Sequence, residues 1–341
     1  MYLYTGGYTH GDEGRAGGIG VYRFDPATGG TEHIQTAGNI TNPSFLAATP
    51  DGRAIISVAE SPAEGSVVAL ARDPATGTLT ELNRQSSMGR GPCHVSIDHS
   101  GRYALAANYG SGSIAALPIA ADGSLEPASG SVQQEGSSVN PERQEGPHAH
   151  MIASSPDGNY VFATDLGADR IFAYTLDITT GKLAPASEGG ATADPGQGPR
   201  HFAFSPDGGT VYVINELGFT LTRYDYDAAT GRLDPRQTLP TLPEGFDAWN
   251  LCAHVLVSPD GRFVYGSNRG HDSIPVWSMD GDSGELSLVE RLPAGGKTPR
   301  NFALDPSGEW LLVANMGSDN VVATRRDPAT GLPTGEPVVH E

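Results

Sequence analysis

Two histidines, one glutamate and three arginines have the types and placement to do chemistry together. His148 and His150 stand in Gly146-Pro147-His148-Ala149-His150, and Arg200 in Gly198-Pro199-Arg200-His201. Glu216 follows Asn215, Arg269 follows Asn268, and Arg300 lies in Thr298-Pro299-Arg300-Asn301. Guanidinium groups grip carboxylates and phosphates bidentately and can stabilise a developing oxyanion. A neutral imidazole or a carboxylate can take the proton of an attacking water. The set reads as a site that binds an anionic substrate and supplies a proton acceptor. His94, His201 and His254 recur at one repeat position, where loop capping or filling between sheets is the plainer role. Of these, His94 and His254 are also carried as candidate substrate-binding residues. A His-x-His pair with Glu216 as third ligand could hold a metal, but the neighbouring arginines would repel a divalent cation. No metal and no cofactor is expected.

These residues are far apart in the chain, so the elements between them must gather them. Two phrases recur through the 341 residues. The first is a Pro/Asp/Ser-Gly turn whose glycines are Gly52, Gly101, Gly158, Gly208, Gly261 and Gly308. The second resembles Asp-Pro-Ala-Thr-Gly and closes on Gly29, Gly77, Gly123, Gly181, Gly231, Gly284 and Gly331. Runs rich in Val, Ile, Tyr, Phe and Ala lie between these turns and read as strands, about four in each period. A fixed period of this size with four strands is the signature of a β-propeller blade. The expectation is an all-β chain, a single domain over residues 1–341, built as a seven-bladed β-propeller with four-stranded antiparallel blades. A pair of β-sandwiches would have no need of one repeated phrase.

In such a blade the two short turns share one end, and the longer loops at 9–18, 129–145 and 238–250 share the other, where binding sites usually sit. The approaches to the inner strands and the exits of the second strands should converge there, bringing the arginines, glutamate and histidines to one mouth. His148 and His150, two apart on an expected strand, should leave on the same side. Asn and Asp at the second-strand exits are read as turn formers bonding their own backbone. Seven second strands are counted, beginning at residues 1–5, against six inner strands. The segment 336–341 is too short for both the last outer strand and a closing inner strand, so irregular closure is expected.

Composition narrows the function classes. Twenty-one basic against forty acidic side chains give a net charge of −19, which opposes nucleic acid and anionic lipid by Coulomb repulsion. Nineteen of the basic residues are arginine, so a local anion site can persist in an acidic chain. Two cysteines cannot make a disulfide framework, and no run approaches the length of an apolar membrane span. The chain reads as soluble and cytoplasmic, acting on a small anionic molecule; its oligomeric state is not legible.

The order and spacing of Gly146 to His150, Gly198-Pro199-Arg200-His201-Phe202, Asn215-Glu216-Leu217, Ser267-Asn268-Arg269-Gly270-His271-Asp272-Ser273 and Thr298-Pro299-Arg300-Asn301-Phe302 resemble the lactonase family of seven-bladed propellers. That family includes propeller-type 6-phosphogluconolactonase and resembles the fungal carboxymuconate lactonizing enzyme. The resemblance implies hydrolysis or formation of a lactone ring, with His148, His150, Arg200, Glu216 and Arg269 as the catalytic centre. One departure is His254, where the family tends to place an acidic residue. Hydrolysis of an anionic sugar lactone, 6-phosphogluconolactone first, is the leading expectation. Carboxymuconate-type cycloisomerisation and a non-catalytic binding scaffold are the rivals, and either Glu216 or His150 could be the base.

Overall fold

The computed structural model describes residues 1–11, 15–281 and 283–340. Residues 12–14 of the expected 9–18 loop, and Glu341 of the last segment, lie outside the described residues. The described elements are strands, arranged as seven antiparallel sheets in chain order. The fold is all-β, a seven-bladed propeller with mostly four-stranded blades. The sixth sheet shows the plan: Leu251–Val257, Phe263–Arg269, Ser273–Met279 and Leu286–Pro293 lie side by side in that order.

The repeated glycines work as the spacing predicts. In the second phrase, Gly77 N–H donates to Asp73 O and Gly331 N–H to Asp327 O, with φ of 76° and 74°. Only glycine takes that backbone conformation at little cost. The turn also fixes its aspartate: the N–H groups of Thr76 and Ala75 hold the Asp73 carboxyl below its ordinary range. A ring covers each of these glycines, Tyr2 over Gly77 and Phe263 over Gly331.

Two sheets depart from four strands. The first has Tyr2–Thr5, Ile19–Phe24 and Thr31–Ala37, and the last sheet takes Pro333–His340 as its outer strand, in line with the count of six inner strands. The fourth has its outer strand broken into Leu183–Pro185 and Ala191–Thr192. Pro185 lacks the N–H that would continue the ladder, and Gly189 and Gly190 take positive φ between the pieces.

The chain divides into two compact units. The first comprises Met1–Arg23, Glu32–Gly198 and Ala228–Arg232; the second comprises Phe24–Thr31, Pro199–Asp227 and Leu233–Glu341. Within the first, Val58, Val95, Ala106 and Leu117 pack between the second and third sheets, and Leu105, Ile114, Ile152 and Val161 between the third and fourth. Within the second, Ile214, Val255 and Trp277 pack between the fifth and sixth sheets, and Tyr265, Val276, Phe302 and Val313 between the sixth and seventh. Such sheets are covered on both faces. Ala54–Ala59, Tyr103–Asn108 and Phe263–Arg269 are therefore buried along their whole length. Burying each large apolar side chain there contributes roughly 1.5–3 kcal/mol.

Candidate active site

A repeated β-bulge positions the candidate residues. In the fifth sheet Pro199 pairs with Asn215 and His201 with Ile214, so Arg200 is the extra residue on the inner strand. The same shift leaves Cys93 extra in the third sheet, His150 in the fourth and Arg300 in the seventh. In the sixth it falls between Cys252 and Val255. A bulge bends its strand and re-aims one side chain out of the alternating pattern. This slot is where the sheets present Cys93, His150, Arg200 and Arg300. The second contributing position directly follows the asparagine repeated at the second-strand exits, giving Tyr109, Glu216 and Arg269.

In the first unit, the two sequence-predicted histidines meet at Tyr109. His148 precedes its inner strand and stacks on the Tyr109 ring at 4.5 Å, while His150 meets that ring edge-on at 5.4 Å. Strand alternation is not the cause, because the strand is bulged at His150. His148 Nδ1 lies 3.0 Å from Tyr109 O, which can only accept, so Nδ1 carries a proton; Nε2 faces Glu145 Oε1 at 3.2 Å. His150 is buried, with its Nδ1 3.7 Å from Cys93 Sγ. His94 is turned between inner strands: its Nδ1 is 3.5 Å from Ile152 N, and its ring packs on Phe45.

The asparagines at the second-strand exits depart from the turn-forming expectation, whereas Asp165 meets it by bonding Ala168 N within its own turn. Asn108, Asn215, Asn268 and Asn315 are buried, and their amides tie strands together. Asn108 Nδ2 donates to Ser87 O and Ser113 Oγ, Asn268 Nδ2 to Thr241 O and Ser273 Oγ, and Asn315 Nδ2 to Ala294 O and Asn320 Oδ1. Asp165 occupies the same place in the fourth sheet. Its Oδ1 accepts from His148 N and Ala168 N, and burial raises its pKa against those two hydrogen bonds.

The second unit brings Arg200, Glu216 and Arg269 together. Glu216 Oε2 accepts from Arg200 Nε at 2.7 Å and from Arg269 Nη2 at 2.8 Å, all three side chains being buried. Arg200 Nη1 also donates to Ala253 O at 2.6 Å, and Arg269 Nη2 to Cys252 O at 2.9 Å. Arg269 Nε is buried with no hydrogen-bond partner among the described residues. Burial lowers the Arg269 pKa while Glu216 opposes the shift, and the charge of Arg300 adds to the lowering. Two guanidiniums share one carboxylate in this trio, which thus carries one positive charge in excess.

Sequence reasoning passed over two participants. The repeat position marks His201 for capping or filling, yet its Nε2 lies 3.3 Å from Arg200 Nη1 and its Nδ1 lies 2.9 Å from His254 Nδ1. Its direct succession to Arg200 was the available signal. Tyr109 offered a weaker one, sharing the register position of Glu216 and Arg269. Among the described residues, no group of three or more His, Cys, Asp or Glu could hold a metal ion.

The comparison that decides the family is a model described as "Lactonase, 7-bladed beta-propeller", which matches residues 2–337. The chain belongs to this family. Among similar lactonase-family proteins, the 6-phosphogluconolactonase of Bacillus subtilis (strain 168) is 36% identical over 330 residues, covering 96% of this chain and 92% of its relative. The 6-phosphogluconolactonase of Formosa agariphila is 33% identical over 345 residues, covering 96% and 93%. Among solved structures, the periplasmic gluconolactonase PpgL of Pseudomonas aeruginosa superposes with a TM-score of 0.92 at 36% identity, covering 99% of this chain and 94% of that one.

Proposed function

We propose that this lactonase-family chain hydrolyses an anionic sugar lactone, with 6-phosphogluconolactone the preferred substrate. The observation that carries the reading is the buried Arg269 Nε without a partner, beside a trio of excess positive charge. A buried donor left unpaired is costly, and an oxyanion or phosphate oxygen would satisfy it. In this reading two of Arg200, Arg269 and Arg300 hold the substrate's anionic group. The third stabilises the oxyanion that forms when water attacks the ring carbonyl. Collapse of that intermediate breaks the ring C–O bond, and the ring oxygen leaves as a hydroxyl once it has gained a proton.

Glu216 Oε2 is already occupied by two guanidiniums, which leaves it little basicity. His150, the alternative base of the sequence reading, stands in the other compact unit, and its role is tested by itself: His150→Ala should lower kcat/KM, and unchanged turnover would remove it from the mechanism.

The test is a substrate panel of 6-phosphogluconolactone, unphosphorylated gluconolactone and a carboxymuconate, each followed against its spontaneous rate. The reading predicts highest kcat/KM for the phosphorylated lactone. Preference for carboxymuconate would replace hydrolysis with lactone formation, and no acceleration of any would return the chain to the scaffold class.

A further inference from the structure

We propose that His201 and His254 form a neutral imidazole pair that positions Arg200 for binding its anion. The inference rests on the reading of Arg200 as an anion-holding group.

The protons can be placed by elimination. A guanidinium only donates, so Arg200 Nη1, 3.3 Å from His201 Nε2, faces a lone pair there. The His201 proton is then on Nδ1. That nitrogen lies 2.9 Å from His254 Nδ1, which must accept, leaving the His254 proton on Nε2. The chain Arg200 to His201 to His254 runs in one direction and admits one tautomer of each ring. Protonating His254 at Nδ1, or His201 at Nε2, would set two donors against each other.

The surroundings hold the pair in that state. His201 is buried, and the two rings meet edge-on at 5.2 Å. His254 packs on Phe302 at 5.0 Å, and its backbone N–H donates to Ser267 Oγ. Burial and then the charge of Arg200 draw the His254 pKa down to about 3. The neighbouring thiol, Cys252, is pushed up to about 12 by burial and stays neutral as well. At the equivalent repeat position, His94 instead faces a backbone N–H, that of Ile152. Arg200 is fixed by Glu216 at Nε, with Ala253 O and His201 both at Nη1. Losing the His201 contact removes one of the hydrogen bonds that set the guanidinium plane, so anion binding should weaken and not vanish.

Two measurements test the pair. Long-range ¹H–¹⁵N spectra of histidine-labelled protein at about pH 5.5, where a free imidazole is mostly protonated, should show both rings neutral, with His201 protonated at Nδ1 and His254 at Nε2. A doubly protonated ring, or the opposite tautomer at His201, overturns the proposal.

The second is calorimetric affinity for 6-phosphogluconate and for inorganic phosphate. His254→Phe keeps a flat ring but removes the acceptor, and should weaken binding about tenfold, the scale of one lost hydrogen bond to a charged group's support. His254→Asn places an amide oxygen near the former Nδ1 and should bind within about threefold of the wild type. Wild-type affinity in His254→Phe overturns the proposal. If His254→Phe does not fold, weak binding by a folded His254→Asn does so. Should the wild type bind neither probe, the substrate reading above fails and the tautomer spectra alone decide on the pair.

Discussion

Glu216 Oε2 accepts from Arg269 Nη2 at 2.8 Å while also accepting from Arg200, so one carboxylate oxygen orders two guanidiniums on neighbouring sheets. Removing that charge leaves two buried cations facing each other. Glu216→Gln is expected to lower unfolding stability by about 3–5 kcal/mol, the cost of breaking a buried pair from one side. Urea denaturation checks it, and a change below about 1 kcal/mol would show that the trio is better solvated than its burial indicates.

Asp165 stands where four sister sheets carry a buried asparagine. Its folded pKa is raised, so the unfolded chain gives up its proton at lower pH than the native state does. The group's stabilising contribution is present at low pH and is lost as pH rises through the folded pKa. Asp165→Asn retains an oxygen for His148 N and Ala168 N and should therefore raise the melting temperature at pH 8. The gain should shrink at pH 4.5. A gain that grows on acidification would contradict the sign.

His254 gives the opposite slope. Its folded pKa is depressed to about 3, so between the ordinary imidazole value and that point the unfolded chain binds a proton that the native state refuses. Stability falls as pH drops through this window. His254→Asn removes the term, and its melting temperature should decline less steeply than that of the wild type between pH 6.5 and pH 4.

Gly331 has φ of 74°, and a Cβ built there would lie 2.5 Å from Phe263 Cδ1. Gly331→Ala should cost about 1–3 kcal/mol through backbone strain and displacement of the ring. Denaturant midpoints measure this. Activity per folded molecule should hold, since the turn closes the outer strands and touches none of the candidate site.

Much of the architecture was legible because its cause is local. Six of the seven closing glycines end an Asp-x-x-x-Gly turn and Gly123 ends a shorter one that bonds Ala120 O, yet all seven keep the period, so the blade count could be read from the spacing of the glycines. The inner-strand bulge left no such mark: one extra residue changes no composition, yet it decides where His150, Arg200 and Arg300 point. The asparagines at the second-strand exits were misread for a related reason. Asx residues next to a loop usually serve that loop, whereas Asn108, Asn268 and Asn315 reach across to the preceding linker. The Arg200, Glu216 and Arg269 grouping was legible because equivalent register positions converge. His201 was missed because recurrence was taken as a sign of filling, and only the distance to His254 reveals its partner.

The nearby guanidiniums argue for chemistry without a divalent cation. Activity after exhaustive chelation with EDTA should equal that before it, and loss restored by one added metal would contradict the assignment of charge stabilisation to arginine.

The most direct test of the account is the opening of 6-phosphogluconolactone, measured above its spontaneous rate for the wild type and for Arg269→Lys. Lysine keeps the charge but removes Nε and the planar fork, so kcat/KM should fall by about a hundredfold or more whether Arg269 meets the oxyanion or the substrate's anionic group. A wild-type rate no faster than the uncatalysed opening, or an Arg269→Lys variant as fast as the wild type, would contradict it.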